Sequence, residues 1–167
     1  MPNSSTDEVE LILRRARVQL TLRHPFLASS ALRLPFRAAD TRRWCPTMAT
    51  DGYHIFYNPA WVARLTTESC TGVIAHEVLH AVLGHADRRG GRHALIWNMA
   101  ADYAINLLVV EQGFTLPEGG LLERRFRGMT TEDIYEALIQ RSGGAPAGSD
   151  GDDATSEAAP FPGTGSS

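Results

Sequence analysis

The chain has no lysine. All 16 of its basic residues are arginine, set against 19 acidic ones for a formal net charge of −3. A balance of that sign gives no electrostatic reason to expect a nucleic acid or an anionic membrane as partner. The arginine pairs 14–15, 42–43, 88–89 and 124–125 are scattered, as on solvated faces, and the missing lysine reads first as genome composition. Cysteine is scarce too. Cys45 and Cys70 stand alone without a C-x-x-C pattern, weak grounds for a disulfide. No unbroken apolar stretch reaches the ~18 residues of a membrane helix, and the polar opening MPNSSTDEVE lacks a signal-peptide core. Together these absences lead to the expectation of a reducing, cytoplasmic setting.

What is present suits one domain with a core: 167 residues, 43% of them apolar. Ser5 and Glu8 fit a capping box, and Val9, Ile12, Leu13, Ala16 and Leu20 recur at helical spacing, predicting a helix from about Thr6 to Arg23. HPFLASSALRLPF is broken by two prolines and reads as a short helix followed by an extended segment. TMATDGYHIFYNP reads as a hairpin with a two-residue Asp51-Gly52 turn. Pro59 then opens a short helix. Thr66 or Thr67 caps the next one, which runs to about Gly84. HALIWNMAADYAINLLVVEQG predicts a long helix ending at Gly113, and Thr130 with Asp133 starts a last amphipathic one. The fold class is α+β, mainly helical with a small hairpin. Residues 1–141 form the domain. From residue 142 the chain turns to Gly, Ala, Pro, Ser and Asp, a composition expected of a disordered tail or linker. The acidic run at Asp150, Asp152 and Asp153 lacks the ligand spacing of a calcium loop.

Inside the greasy stretch TGVIAHEVLHAVLGHADRRG sit His76, Glu77 and His80. Histidines at i and i+4 lie about 40° apart on one helix face, so both imidazoles can reach one small ion. Glu77 lies beside that row, placed to hold a water next to the ion rather than the ion itself. A chain of this composition would contain H-E-x-x-H by chance roughly 0.01 times. The bland alternative, two satisfied core histidines and a surface glutamate, is therefore the weaker one. Gly72 and Gly84 extend the row at the same spacing, leaving room for another helix or for substrate.

A catalytic zinc usually takes three protein ligands and keeps an open corner. His85 lies five residues past His80, about 140° away on a continuous helix, and could reach only if the helix ended at Gly84. Asp87 has the same difficulty. The extended motif with a third histidine fails, since Leu83 and Ala86 stand where it needs Gly and His. Asp102 is the better candidate. Asn98, Asp102 and Asn106 form one polar row on an otherwise apolar helix. Burying such groups unpaired costs ~2–7 kcal/mol each, so the row needs a partner. Asp102 could meet the ion while Asn98 or Asn106 bonds the outer nitrogen of a ligand histidine. A buried polar cluster or a solvent-facing stripe is the alternative, and Glu111 the reserve ligand.

The stretches ATDGYHIFYNPAWV, IAHEVLHAVLGHADRR, IWNMAADYAINLLV, LPEGGLLERRF and MTTEDIYEAL, in that order, carry a resemblance. The chain resembles zincin metallopeptidases, and more closely the metallopeptidase domain at the N-terminus of bacterial proteins with a von Willebrand factor A-like domain behind it. The resemblance implies a minimal zincin-like fold with its sheet beside the motif helix. It implies Zn²⁺ at His76 and His80, a catalytic role for Glu77, and Asp102 as third ligand where many zincins use Glu. It further implies a peptide or protein substrate pairing with a strand, here the arm Tyr53 to Tyr57. The associates it suggests are von Willebrand factor A-like proteins and AAA+ ATPases. Tyr103, His93, Arg88 and Tyr135 are candidates to steady an oxyanion. A rival reading is a zinc-stabilised scaffold that catalyses nothing, with His85 closing the shell.

Overall fold

A computed structural model describes residues 4–39 and 44–141. The tail from residue 142 lies outside the described residues. The first helix, α1 (Ser4–Arg23), buries Val9, Leu13, Ala16 and Leu20, the 3–4 spacing of one inward face. It starts two residues earlier than expected, and the side-chain bonds of the Ser5–Glu8 box lie outside the described residues. Pro25 opens α2 (Pro25–Arg33), and the chain then extends into β1 (Phe36–Ala38).

The expected hairpin forms from β2 (Met48–Thr50) and β3 (Ile55–Tyr57), with Met48 opposite Tyr57 and Thr50 opposite Ile55. Its loop is longer than the two residues predicted. Asp51 Oδ1 accepts from the backbone N–H groups of Tyr53 and His54, and these bonds make the turn in place of further ladder pairs. Gly52, at φ +87°, supplies its left-handed residue. β1 adds in parallel to β3, giving the order β1-β3-β2. The Tyr53–Tyr57 arm is thus the middle strand, with neighbours on both sides. Its residues 55–57 are paired on both sides and leave no edge for the substrate backbone that the resemblance implied, and the outer strands of the sheet are β1 and β2.

Asn58 caps α3 (Pro59–Val62), accepting from Ala60 and Trp61. Thr66 caps α4 (Thr67–Val82), its side chain accepting from the Ser69 N–H. Gly84, at φ +63°, ends that helix and turns the chain into α5 (His85–Arg88), a single turn where the sequence suggested only loop. Next come α6 (Ala94–Glu111), a 3-10 turn at Arg124–Phe126 and α7 (Thr131–Arg141). Thr130 and Asp133 bond reciprocally at the start of α7, as the sequence led one to expect.

Two main apolar clusters organise these elements, beside a small one of Ala39, Cys45 and Ala49. The larger joins α1, α2, the sheet and α3 to one side of α4, through Val73, Ile74 and Val78. The smaller packs Ala100, Tyr103 and Leu107 of α6 against Phe126 and against Ile134 and Leu138 of α7. Between them α4 meets α6. By length and composition α6 could cross a membrane. Its continuous apolarity has another source in this fold, since one side packs on α7 and another on α4.

Candidate metal centre

The α4–α6 contact places polar side chains where two core helices press together. Burial leaves His76 fully inaccessible and Glu77 and Asp102 each 2% exposed. Glu77 is therefore no surface glutamate. His80 keeps 11% of its side chain exposed, the most of the three donor residues.

His76 Nε2 lies 2.9 Å from His80 Nε2, and Asp102 Oδ1 lies 3.4 Å from the first and 3.1 Å from the second. Three donor atoms so disposed could hold one ion. A tetrahedral zinc with bonds of about 2.05 Å has ligand–ligand edges of about 3.3 Å. The observed triangle matches that edge to within a few tenths of an ångström, so the residues fit the group. Two acidic side chains buried beside two imidazoles add the charge a cation would offset.

Proton positions at His76 follow from its neighbours. Asn106 Nδ2 donates to the Leu121 carbonyl at 2.9 Å, an oxygen that can only accept. The amide oxygen must therefore face His76 Nδ1, 2.8 Å away, and Nδ1 must carry the hydrogen. That leaves the Nε2 lone pair pointing into the cluster, as metal ligation requires. Of the two asparagines in the polar row, Asn106 does this; Asn98 is half-buried one turn beyond Asp102.

Burial pushes the Asp102 carboxyl up, but hydrogen bonds from both histidines outweigh it and hold the group below its ordinary range. Burial works against charge on His76, yet Asp102 prevails and its affinity for a proton is raised. In His80 burial wins and the value falls, with the charge of His76 acting in the same direction. The triad behaves as one coupled unit around a buried carboxylate.

His85 is close to the site but does not enter it as a ligand. Its Nδ1 lies 3.2 Å from His80 Nδ1, on the side of that ring away from Asp102, and its Nε2 lies 3.0 Å from Thr131 Oγ1. Both nitrogens are thus engaged elsewhere. Burial, joined by the charges of His80 and Arg88, pushes His85 down to about 3. The approach depends on Gly84, whose left-handed backbone bends the chain. Gly72, at the other end of the row, serves packing: a Cβ there would sit 2.1 Å from the Thr115 carbonyl oxygen. The space expected for a helix or substrate is taken by backbone.

Of the remaining candidates, Glu111, Arg88, Tyr135 and Tyr103 are committed elsewhere, while His93 is exposed. Glu111 is exposed and pairs with Arg127 at 2.7 Å. Arg88 pairs with Glu132 at 2.6 Å. The Tyr135 hydroxyl accepts from the His93 N–H, and Tyr103 packs on Phe126 in the second cluster. Sequence reasoning missed Thr131 and the Leu121 carbonyl, which no spacing rule connects to the motif. Both cysteines are buried.

A family model described as "Putative metallopeptidase domain" matches residues 9–166. No curated protein and no solved structure gives a match.

Proposed function

The chain belongs to this metallopeptidase-domain family, and from that premise we propose that it is a zinc-dependent peptidase whose metal ligands are His76, His80 and Asp102. The observation that carries the reading is the buried triangle of two imidazole nitrogens and one carboxylate oxygen, 2.9–3.4 Å on a side, drawn from two helices. Two nitrogens and an oxygen with tetrahedral edges suit zinc. A zinc ion held there would supply Lewis acidity and activate a water at neutral pH.

The chain's own residues supply the rest. Asn106 keeps the His76 hydrogen on Nδ1 and so fixes the ring's direction. The Glu77 carboxylate takes a proton from the attacking water and returns it to the departing amine. Its burial excludes bulk solvent from that exchange. His80 is the most exposed of the three donor residues, at 11% of its side chain, which supports a substrate approaching past it. A scaffold with a closed metal site needs a fourth protein ligand, and His85, the nearest residue to that role, has both ring nitrogens in use.

The test is metal analysis joined to a cleavage assay. Purified protein should carry about one zinc per chain, Asp102→Ala much less, and Glu77→Gln a full complement without hydrolysis of a denatured protein substrate. Equal zinc in wild type and Asp102→Ala would remove Asp102 from the ligand set; unchanged cleavage by Glu77→Gln would remove the general base.

A further inference from the structure

His80 presents one nitrogen to the cluster and the other to a second histidine. Its Nε2 sits 3.1 Å from Asp102 Oδ1 and 2.9 Å from His76 Nε2. A neutral imidazole has one N–H. If Nε2 is to offer a lone pair to an ion, the hydrogen must sit on Nδ1. That atom faces His85 Nδ1 at 3.2 Å, so His85 Nδ1 must accept and the His85 hydrogen must be on Nε2. There it meets Thr131 Oγ1 at 3.0 Å, and a hydroxyl can accept.

We propose that His85 and Thr131 form a positioning relay, His80 Nδ1–H to His85 Nδ1 and His85 Nε2–H to Thr131 Oγ1, that sets the tautomer and aim of His80 in the metal-loaded protein. Neither residue is a ligand and neither touches substrate; both act through His80. The inference rests on His80 being a ligand, as proposed above.

Around the relay the fold holds each member in place. Trp97 Nε1 donates to the His85 carbonyl at 2.8 Å, and the two rings meet edge-on with centroids 6.2 Å apart. Thr131 is buried at the first turn of α7, behind the reciprocal bonds of Thr130 and Asp133. The Arg88–Glu132 ion pair ties α5 to α7 across the same junction. His76 and His80 are thus steadied differently. Asn106 steadies the first from within α6. The second depends on α5 and α7, so its alignment requires that α7 be docked. Loss of that docking would weaken metal binding without touching a ligand.

The experiment measures zinc affinity by competition with a chromophoric chelator, together with histidine ¹⁵N shifts of the zinc-loaded full chain. Second-layer partners of metal-bound histidines are typically worth roughly ten- to a hundredfold in affinity. His85→Ala should fall in that range. Thr131→Val, nearly isosteric, should weaken zinc severalfold or more, and Thr131→Ser should recover to within about twofold. The ¹⁵N spectrum should show His85 protonated on Nε2 and His80 on Nδ1. Should His85→Ala fail to fold, Thr131→Val and the wild-type spectrum decide the matter. Wild-type zinc affinity in Thr131→Val, or a His85 hydrogen found on Nδ1 in the loaded protein, would overturn the relay while leaving the metal site intact. A wild-type chain that takes up no zinc would instead overturn the proposed function beneath it.

Discussion

Asn106 lets the site's design be tested away from the ligands. It is fully buried and makes two bonds of opposite sense, accepting from His76 Nδ1 at 2.8 Å and donating to the Leu121 carbonyl at 2.9 Å. Asn106→Leu keeps the branching of the side chain and removes both bonds. Each stranded partner costs ~1–3 kcal/mol, so the metal-free fold should lose about 2–6 kcal/mol, read as a lower urea midpoint at constant slope. With His76 free to change tautomer, zinc affinity should fall roughly ten- to a hundredfold, about 1.4–2.8 kcal/mol. Asn106→Asp separates the two effects. A carboxylate still accepts from His76 but cannot donate to Leu121. Zinc affinity should hold at the wild-type level or rise, while the metal-free fold still weakens. The assay is chelator competition beside urea unfolding, on all three proteins. Zinc affinity within twofold of wild type in Asn106→Leu would refute the claim that this amide orients His76.

Other consequences can be checked more briefly. Gly72→Ala should cost about 1–3 kcal/mol, because the Thr115 backbone must move from 2.1 Å; an unchanged thermal midpoint would contradict the close approach. His85 is held to about 3 in the fold by burial and by the charges of His80 and Arg88, whereas an unfolded histidine takes its proton near 6.5. The unfolded state therefore binds more protons as pH falls through 6.5, and this group alone should remove about 1.6 kcal/mol from metal-free stability between pH 6.5 and 5; a His85→Gln chain with the same slope of stability against pH would exclude that assignment. The Cys70 thiol, pushed up to about 12 by burial, should resist iodoacetamide at pH 8 in the folded protein and react on unfolding. Rapid native alkylation would show that the larger apolar cluster opens.

Local rules made much of this molecule legible. A helix with Val9, Leu13, Ala16 and Leu20 on one side must bury that side, and it does. Thr66, Gly113 and the Thr130–Asp133 pair mark helix ends through bonds and backbone angles that depend on neighbours in sequence. The spacing of His76 and His80 places two imidazoles on one face by helix geometry alone, and the polar row on α6 announces a partner because buried polar groups need one. Tertiary structure decided which partner. That Asp102 rather than Glu111 meets the histidines depends on how α6 lies across α4, a matter of packing between segments a loop apart. So do the middle position of β3, which follows from β1 joining its far side, and the turn at Gly84 that brings His85 back to His80. Thr131 lies 46 residues beyond His85, and no local periodicity reaches that far. Sequence alone determined which side chains could do the chemistry, because helical spacing is a property of the backbone. Only the packed fold determined which of them meet, because that depends on where the apolar faces of separate helices come to rest.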